Sequence, residues 1–344
     1  MLQTKKNKIY LAILIVLMIL SYFVVFKKHS GTISDEEKNF AVVDTATIYK
    51  IFMADKDNNQ VILKRDKGNW TVNNKFPARK GAIYLLLTTL KRQRVRFPVS
   101  EQSRSQVIAG LATKSTKVEL YDKDNNLIKS FYVGGASEDY LGSYMLMEIE
   151  KGKPAKTPMV VTLPGFDGYL SVRYFLKEVE WRSRMIFNYA PSMIQSLSMN
   201  FPYKKEQSFT INTVGKDSFN IVRTINNQIA KKANMDRIKL FLSYFSNINA
   251  EAYQNNNPKK DSVLSASPFC IISVKDFLGK ENKVSLYYMP LNRKSKQQYD
   301  QQGNIMPYDL DHYYASINNG KDFVIVQDYV FAKLFRLYSD FVAK

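Results

Sequence analysis

The sequence predicts an α+β fold: an N-terminal transmembrane helix followed by two tandem repeats of a mostly antiparallel sheet with packed helices. Three observations carry this. An uncharged aliphatic run lies near the amino end, strand-length segments are joined by short Asp/Asn-rich turns, and one amphipathic helix pattern occurs twice, about 150 residues apart, as a repeated unit requires. The expected organisation is a cytoplasmic tail (1–8), an anchor (9–26), a tether (27–43), a first α+β unit (44–187) and a second (188–344).

Residues 9–26, opening on Ile9 and closing on Phe26, contain no charge, Pro or Gly. As a helix rising 1.5 Å per residue they measure roughly 27 Å, close to the hydrocarbon thickness of a bilayer. Tyr10, Tyr22 and Phe23 lie near the ends and Lys8, Lys27 and Lys28 bracket them, the flanks that membrane interfaces favour. A cleaved secretory signal has a shorter apolar region and small residues after it; Phe26, Lys27, Lys28 and His29 do not supply them. The expectation is an uncleaved anchor whose partner is the lipid bilayer. A short lysine-bearing tail stays inside while the long following chain is translocated.

Fifty Lys and Arg oppose 31 Asp and Glu, a formal charge of +19, and removing the five lysines that flank the anchor (Lys5, Lys6, Lys8, Lys27, Lys28) still leaves +14. Such a surplus favours anionic partners, whether lipid headgroups, acidic cell-wall or envelope polymers, an acidic protein face or nucleic acid. Cys270 is alone, sits in the apolar run 269–274 and reads as a small buried hydrophobe.

Within the first unit, strands at 48–53 and 61–65 flank the turn Asp55, Lys56, Asp57, Asn58, Asn59, and 70–72 adds a third. A helix follows Pro77, with Ile83, Leu86, Leu87 and Leu90 on one face. Ser100 caps a second helix reaching Leu111, and 117–121 and 128–133 form a hairpin around a second DKDNN turn, Asp122 to Asn126. Strands at 144–149 and 159–162 precede a helical stretch at 166–176. The order then returns: Ile48 matches Ile194, Trp70 matches Phe219, the helix face becomes Ile238, Phe241, Leu242 and Phe245, Val160 and Val161 match Val324 and Ile325, and Leu170 matches Leu334. Hairpin-length loops imply antiparallel sheets with helices packed on one face. Residues 181–187 form the link, and 254–267 and 292–307 are exposed loops.

Candidate chemistry is sparse. Asp55, Asp57, Asn59 and Asp66 fall at calcium-loop spacing, but Gln60 stands where that loop needs Gly and the flanks are strands, so hairpin turns are expected. Asp309, Asp311 and His312 offer too few ligands for a metal centre. Gly134, Gly135 and the segment 163–168 are expected to serve turns and a helix start. No hydrolase elbow, phosphate loop, zinc-protease helix or dinucleotide glycine pattern occurs, so no catalytic residue, metal or cofactor is assigned. The most suggestive surface is Arg173, Tyr174, Trp181, Arg182 and Arg184, where arginines alternate with aromatics as interface anchors do.

The runs ATIYKIFMADKDNNQVILKR, GNWTVNNKF, PARKGAIYLLLTTL, FYVGGASEDYLGSYM, LPGFDGYLSVRYF and EWRSRMIF resemble the bacterial domain of unknown function family four-three-four-zero, over roughly residues 44–187 and more weakly beyond. The resemblance implies a single-pass envelope protein, some members lying beside gliding-type ABC transporters, and it supplies no catalytic residues; with the short lysine-bearing tail kept inside, the expected place is the bacterial inner membrane with the C-terminal domain on the periplasmic side. The leading expectation is therefore a non-enzymatic accessory or scaffold subunit that binds a membrane-protein partner, such as an ABC-type transporter, or an anionic envelope component, and no nucleic acid. Two alternatives stand beside it: an enzyme acting on envelope polymers through carboxylates, and a cytoplasm-facing binder of nucleic acid or anionic lipid.

Overall fold

The computed structural model describes residues 13–19, 21 and 33–342. Most of the expected anchor lies outside the described residues, and no helix among them is long and apolar enough to cross a membrane. Residues 13–19 are helical, and each of their aliphatic side chains is 45–57% exposed. The rest divides between Trp181 and Arg182 into two compact units.

The first unit contains strands β1 (Lys50–Ala54), β2 (Gln60–Asp66), β3 (Asn69–Val72), β4 (Phe76–Pro77), β5 (Arg94–Pro98), β6 (Thr116–Tyr121), β7 (Leu127–Ala136), β8 (Ser143–Glu150), β9 (Lys153–Pro154) and β10 (Met159–Thr162). Helix α1 (Lys80–Arg92) precedes β5, and α2 (Glu101–Lys114) follows it. One antiparallel sheet results, in the order β4-β3-β2-β1-β6-β7-β8-β10-β5, with β9 against β8. Because side chains alternate along a strand, the register stacks Ile51 between Leu63 and Leu120 and Met53 between Val61 and Val118, all fully buried. The aliphatic face of α1, Ile83, Leu86 and Leu90, enters the same core, while Leu87 at its margin is only partly covered.

Helix α2 departs from the one-face expectation. Its Leu111 lies against Gly134 of β7, where an added Cβ would come within 2.6 Å of Leu111 Cδ2 and 3.1 Å of the Tyr144 carbonyl. Gly134 shares its side of the strand with Tyr132, opposite Phe131 and Val133, so α2 covers the reverse of the sheet.

Two further expectations are corrected. The end of the tether is built into the unit: Phe40 is 1% exposed and edge-on to Phe131 at 5.8 Å, and Val42 N donates to the Leu90 carbonyl. Lys129 holds the same segment by donating to the Asn39 and Ala41 carbonyls. The helix expected over 166–176 is reduced to one 3-10 turn, Ser171–Arg173; Gly165 and Gly168 take positive φ, which a helix cannot use.

The second unit contains β11 (Met185–Phe187), β12 (Ile194–Asn200), β13 (Phe209–Gly215), β14 (Ser218–Arg223), β15 (Gln228–Ile229), β16 (Ile248–Asn249), β17 (Ala252–Tyr253), β18 (Cys270–Asp276), β19 (Glu281–Tyr288), β20 (His312–Ile317) and β21 (Asp322–Gln327). Its helices are α3 (Met235–Ser243), the short α4 (Lys260–Ser265) inside a segment expected to be loop, and a single turn, α5 (Asp328–Phe331), after β21. The link boundary moves to Trp181, since β11 pairs with β16 of the second unit.

Its main sheet runs β15-β14-β13-β12-β18-β19-β20-β21-β17. Substituting β1–β4 for β12–β15, β5 for β17, β6–β8 for β18–β20 and β10 for β21 reproduces the order of the first sheet. The likeness extends to single bonds. Asn234 caps α3 as Arg79 stands before α1, and their backbone N–H groups donate to Phe341 O (2.8 Å) and Trp181 O (2.7 Å). Tyr189 N reaches Phe245 O as Val42 N reaches Leu90 O. The register of the last strands aligns Met159 and Val161 with Val324 and Val326, one residue along from the match read in the sequence.

Gly134→Val tests the close approach of α2. Overpacking of this kind costs about 1–3 kcal/mol, so the substitution lowers the urea midpoint of the full chain, and adding Leu111→Ala recovers part of the loss.

Candidate functional site

The turns come first, because their carboxylates raised the calcium reading. Asp55 Oδ1 accepts from the backbone N–H of Asp57 and Asn59 at 2.9 and 3.0 Å, and Asp122 Oδ1 from those of Asp124 and Asn126 at 2.9 and 2.8 Å. Asp276 and Asp300 repeat the device. The fourth residue of each turn, Asn58, Asn125, Gly279 or Gly303, has positive φ, which explains why only Asn and Gly occur there. These carboxylates brace hairpins. Among the described residues no group of three or more His, Cys, Asp or Glu side chains is placed to hold a metal.

Of the five residues expected to form one binding surface, Arg173, Tyr174 and Trp181 belong to the first unit and Arg182 and Arg184 to the second. Tyr174 is 2% exposed and donates to Gln93 Oε1 at 2.6 Å, while Gln93 Nε2 donates to the Phe40 carbonyl at 2.7 Å. Burial pushes the Tyr174 phenol far above its usual range. Trp181 is fully buried, stacks on Phe175 at 4.1 Å and donates Nε1–H to the Phe175 carbonyl. Arg173 is half-buried over the Phe166 ring at 4.2 Å. In the second unit Arg184 is half-buried and its carbonyl accepts from Ala250 N. Arg182, 5% exposed, bonds Asp322 Oδ2 at 2.8 Å with its guanidinium 4.2 Å from the Tyr253 ring centroid. Alternation of Arg with aromatics therefore marked interior anchoring at Tyr174, Trp181 and Arg182.

Three polar networks carry the ionic chemistry. Around Asp322, Arg182, Asn318 Nδ2 and Asn255 Nδ2 all donate within 2.8–2.9 Å. Burial alone would raise the Asp322 carboxyl, but these donors outweigh it and hold it below its usual range. On the reverse of the first sheet, Lys117 Nζ bridges Glu119 at 2.9 Å and Glu148 at 3.0 Å, and Tyr121 OH donates to Glu119 at 2.6 Å. Burial works against the Lys117 ammonium, yet its two carboxylates raise it; burial with Glu119 as acceptor pushes Tyr121 up to about 12.

The third network surrounds His312. Asp309, 2% exposed, accepts from Ser295 Oγ at 2.5 Å, from the backbone N–H groups of Asp311 and His312 at 2.9 Å each, and faces His312 Nδ1 at 3.1 Å. Burial opposes its charge, and those donors prevail, keeping the carboxyl low. His312 Nε2 lies 3.3 Å from Glu251 Oε2, whose side chain is 41% exposed. The order is Ser–Asp–His: the hydroxyl donates to the carboxylate, so the imidazole does not activate it as a nucleophile. What remains is an imidazole held between a buried carboxylate and one that reaches solvent. Sequence spacing brought Asp309 and His312 forward; Ser295 and Glu251 are distant in the chain and carried no signal.

Two antiparallel α+β units of one strand order, braced by internal ion pairs, define the class. The family model described as Domain of unknown function (DUF4340) matches residues 70–266, and the chain belongs to that family. The match reaches well into the second unit. No curated protein matches the chain.

Arg182→Met leaves Asp322 buried without its counter-ion, a change worth about 3–5 kcal/mol; denaturant unfolding shows the loss, and Asp322→Leu in the same chain recovers much of it. Asp309 and Asp322 have depressed folded-state values, so their stabilisation is complete above the ordinary carboxylate range near 4. It disappears as pH falls through the folded values, because the native state must then take up protons that the unfolded chain already holds. Thermal midpoints measured from pH 6 downward are expected to fall less steeply in the Arg182→Met, Asp322→Leu chain than in the parent.

Proposed function

We propose that this protein is a non-enzymatic, single-pass envelope protein, a membrane-tethered accessory or scaffold subunit whose β-sheet units bind a protein partner or an anionic envelope component. The observation that carries the reading is the helical run 13–19, where every aliphatic side chain is 45–57% exposed. A contiguous apolar surface of this kind is unfavourable in water and favourable in hydrocarbon, and the sequence continues it without charge over residues 9–26. The basic surplus beyond the anchor supports an anionic partner. The family likeness supports a place beside an ABC-type transporter of the bacterial inner membrane, with the folded units on the periplasmic side.

The test combines alkaline carbonate extraction with a reporter fused after the last residue. The chain is expected in the membrane pellet, with the reporter active only outside the cytoplasm, and a transporter subunit is expected to co-purify in mild detergent. Recovery as a water-soluble species lacking residues 1–30, or reporter activity in the cytoplasm, would overturn the reading.

A further inference from the structure

The two units permit an internal comparison at one place. The 3-10 turn Ser171–Arg173 ends on Tyr174 and is followed by Phe175; its counterpart Ala332–Leu334 ends on Phe335 and is followed by Arg336, so Leu170 corresponds to Phe331 and not to Leu334 as read in the sequence. In the first unit Phe175 stacks on the terminal Trp181 with centroids 4.1 Å apart. Phe341, which accepts the equivalent backbone bond before α3, has an arginine in place of that stacking ring. A cleft of about 280 Å³ opens there, lined by Arg237, Leu240, Phe241, Tyr244, Arg336, Asp340 and Phe341.

Its chemistry is two-sided. Phe241 and Phe341 are buried with rings 5.2 Å apart, and Leu240 is 56% exposed, giving an apolar floor and rim. Arg237 Nη1 donates to the Asp340 carbonyl at 3.0 Å, and Lys333 Nζ lies 5.7 Å from the Tyr244 ring centroid. Among the described residues no carboxylate lies within ion-pair distance of Arg237, Lys333 or Arg336. The one acid of the lining, Asp340, has its carboxylate engaged within its own turn, accepting from Leu337 N at 2.9 Å. Guanidinium groups above an apolar floor suit a phosphate oxyanion, which they can engage with parallel N–H donors.

We infer that this cleft binds a phosphate carried on an apolar stem, as an anionic lipid headgroup presents it. The inference deepens the binding role proposed above and rests on it, but the cleft is complete within the second unit and is tested apart from the anchor. The full-length chain in detergent micelles is titrated calorimetrically with hexyl phosphate, and separately with inorganic phosphate and with hexanol. Hexyl phosphate binds saturably and at least about tenfold more tightly than either half. Arg336→Phe, which restores the first unit's aromatic plug, and Arg237→Gln each weaken it about tenfold; Arg336→Gln serves if the phenylalanine variant does not fold. Unchanged affinity in the folded variants overturns the assignment, as does inorganic phosphate or hexanol binding as tightly as hexyl phosphate, the former marking a free-anion site. Carbonate extraction of the same variants reports on membrane tethering independently.

Discussion

Each unit depends on burying one apolar helix face against the inner face of a single antiparallel sheet. In the first unit the helix contributes Ile83, Leu86 and Leu90, and in the second Ile238, Phe241 and Leu242, with Phe245 in the 3-10 turn that follows. The chain that follows is arranged to keep that helix in place. It crosses the sheet, returns, and finishes by offering the carbonyl of a buried aromatic, Trp181 or Phe341, to the first free N–H group ahead of the helix. Helix starts leave such donors unsatisfied, so the last residues of a unit complete what its middle leaves open. This is why a segment far along in sequence is as much a part of the core as the strands.

The charged groups obey the same economy of satisfaction. Asp322 draws donors from the opening residue of the second unit and from two asparagines, and Asp309 from a loop serine, two backbone amides and a histidine. A buried carboxylate without such donors would be costly. Here the surrounding loops exist in the shapes they do because they must deliver those hydrogen bonds. The irregular stretch around Ser295 is therefore fastened at that point although its sequence is polar.

Features set by local chemistry were readable from the sequence. The helix periodicity, the Asp-anchored hairpin turns and the repeated order all follow from neighbouring residues, and the equivalence of Trp70 with Phe219 holds in the strand register. What escaped depends on long-range packing. Nothing local shows that α2 crosses to the reverse of the sheet, because it buries only Leu111 and its partner is a glycine. Strand β5 is short, largely exposed and bulged, and its Arg-rich sequence resembles a loop. The burial of Tyr174, Trp181 and Arg182 was hidden for a related reason: alternating arginines and aromatics look alike whether the rings face outward or the protein's own interior, and only the positions of Phe175, Gln93 and Asp322 show their interior contacts.

The clamp on the leading segment has a mechanical meaning. Phe40, Val42 and Lys129 fix the incoming chain between α1 and β7, away from both margins of the sheet. The chain arriving from the amino end is thus fastened at the middle of the first sheet, with an aromatic ring seated in the core.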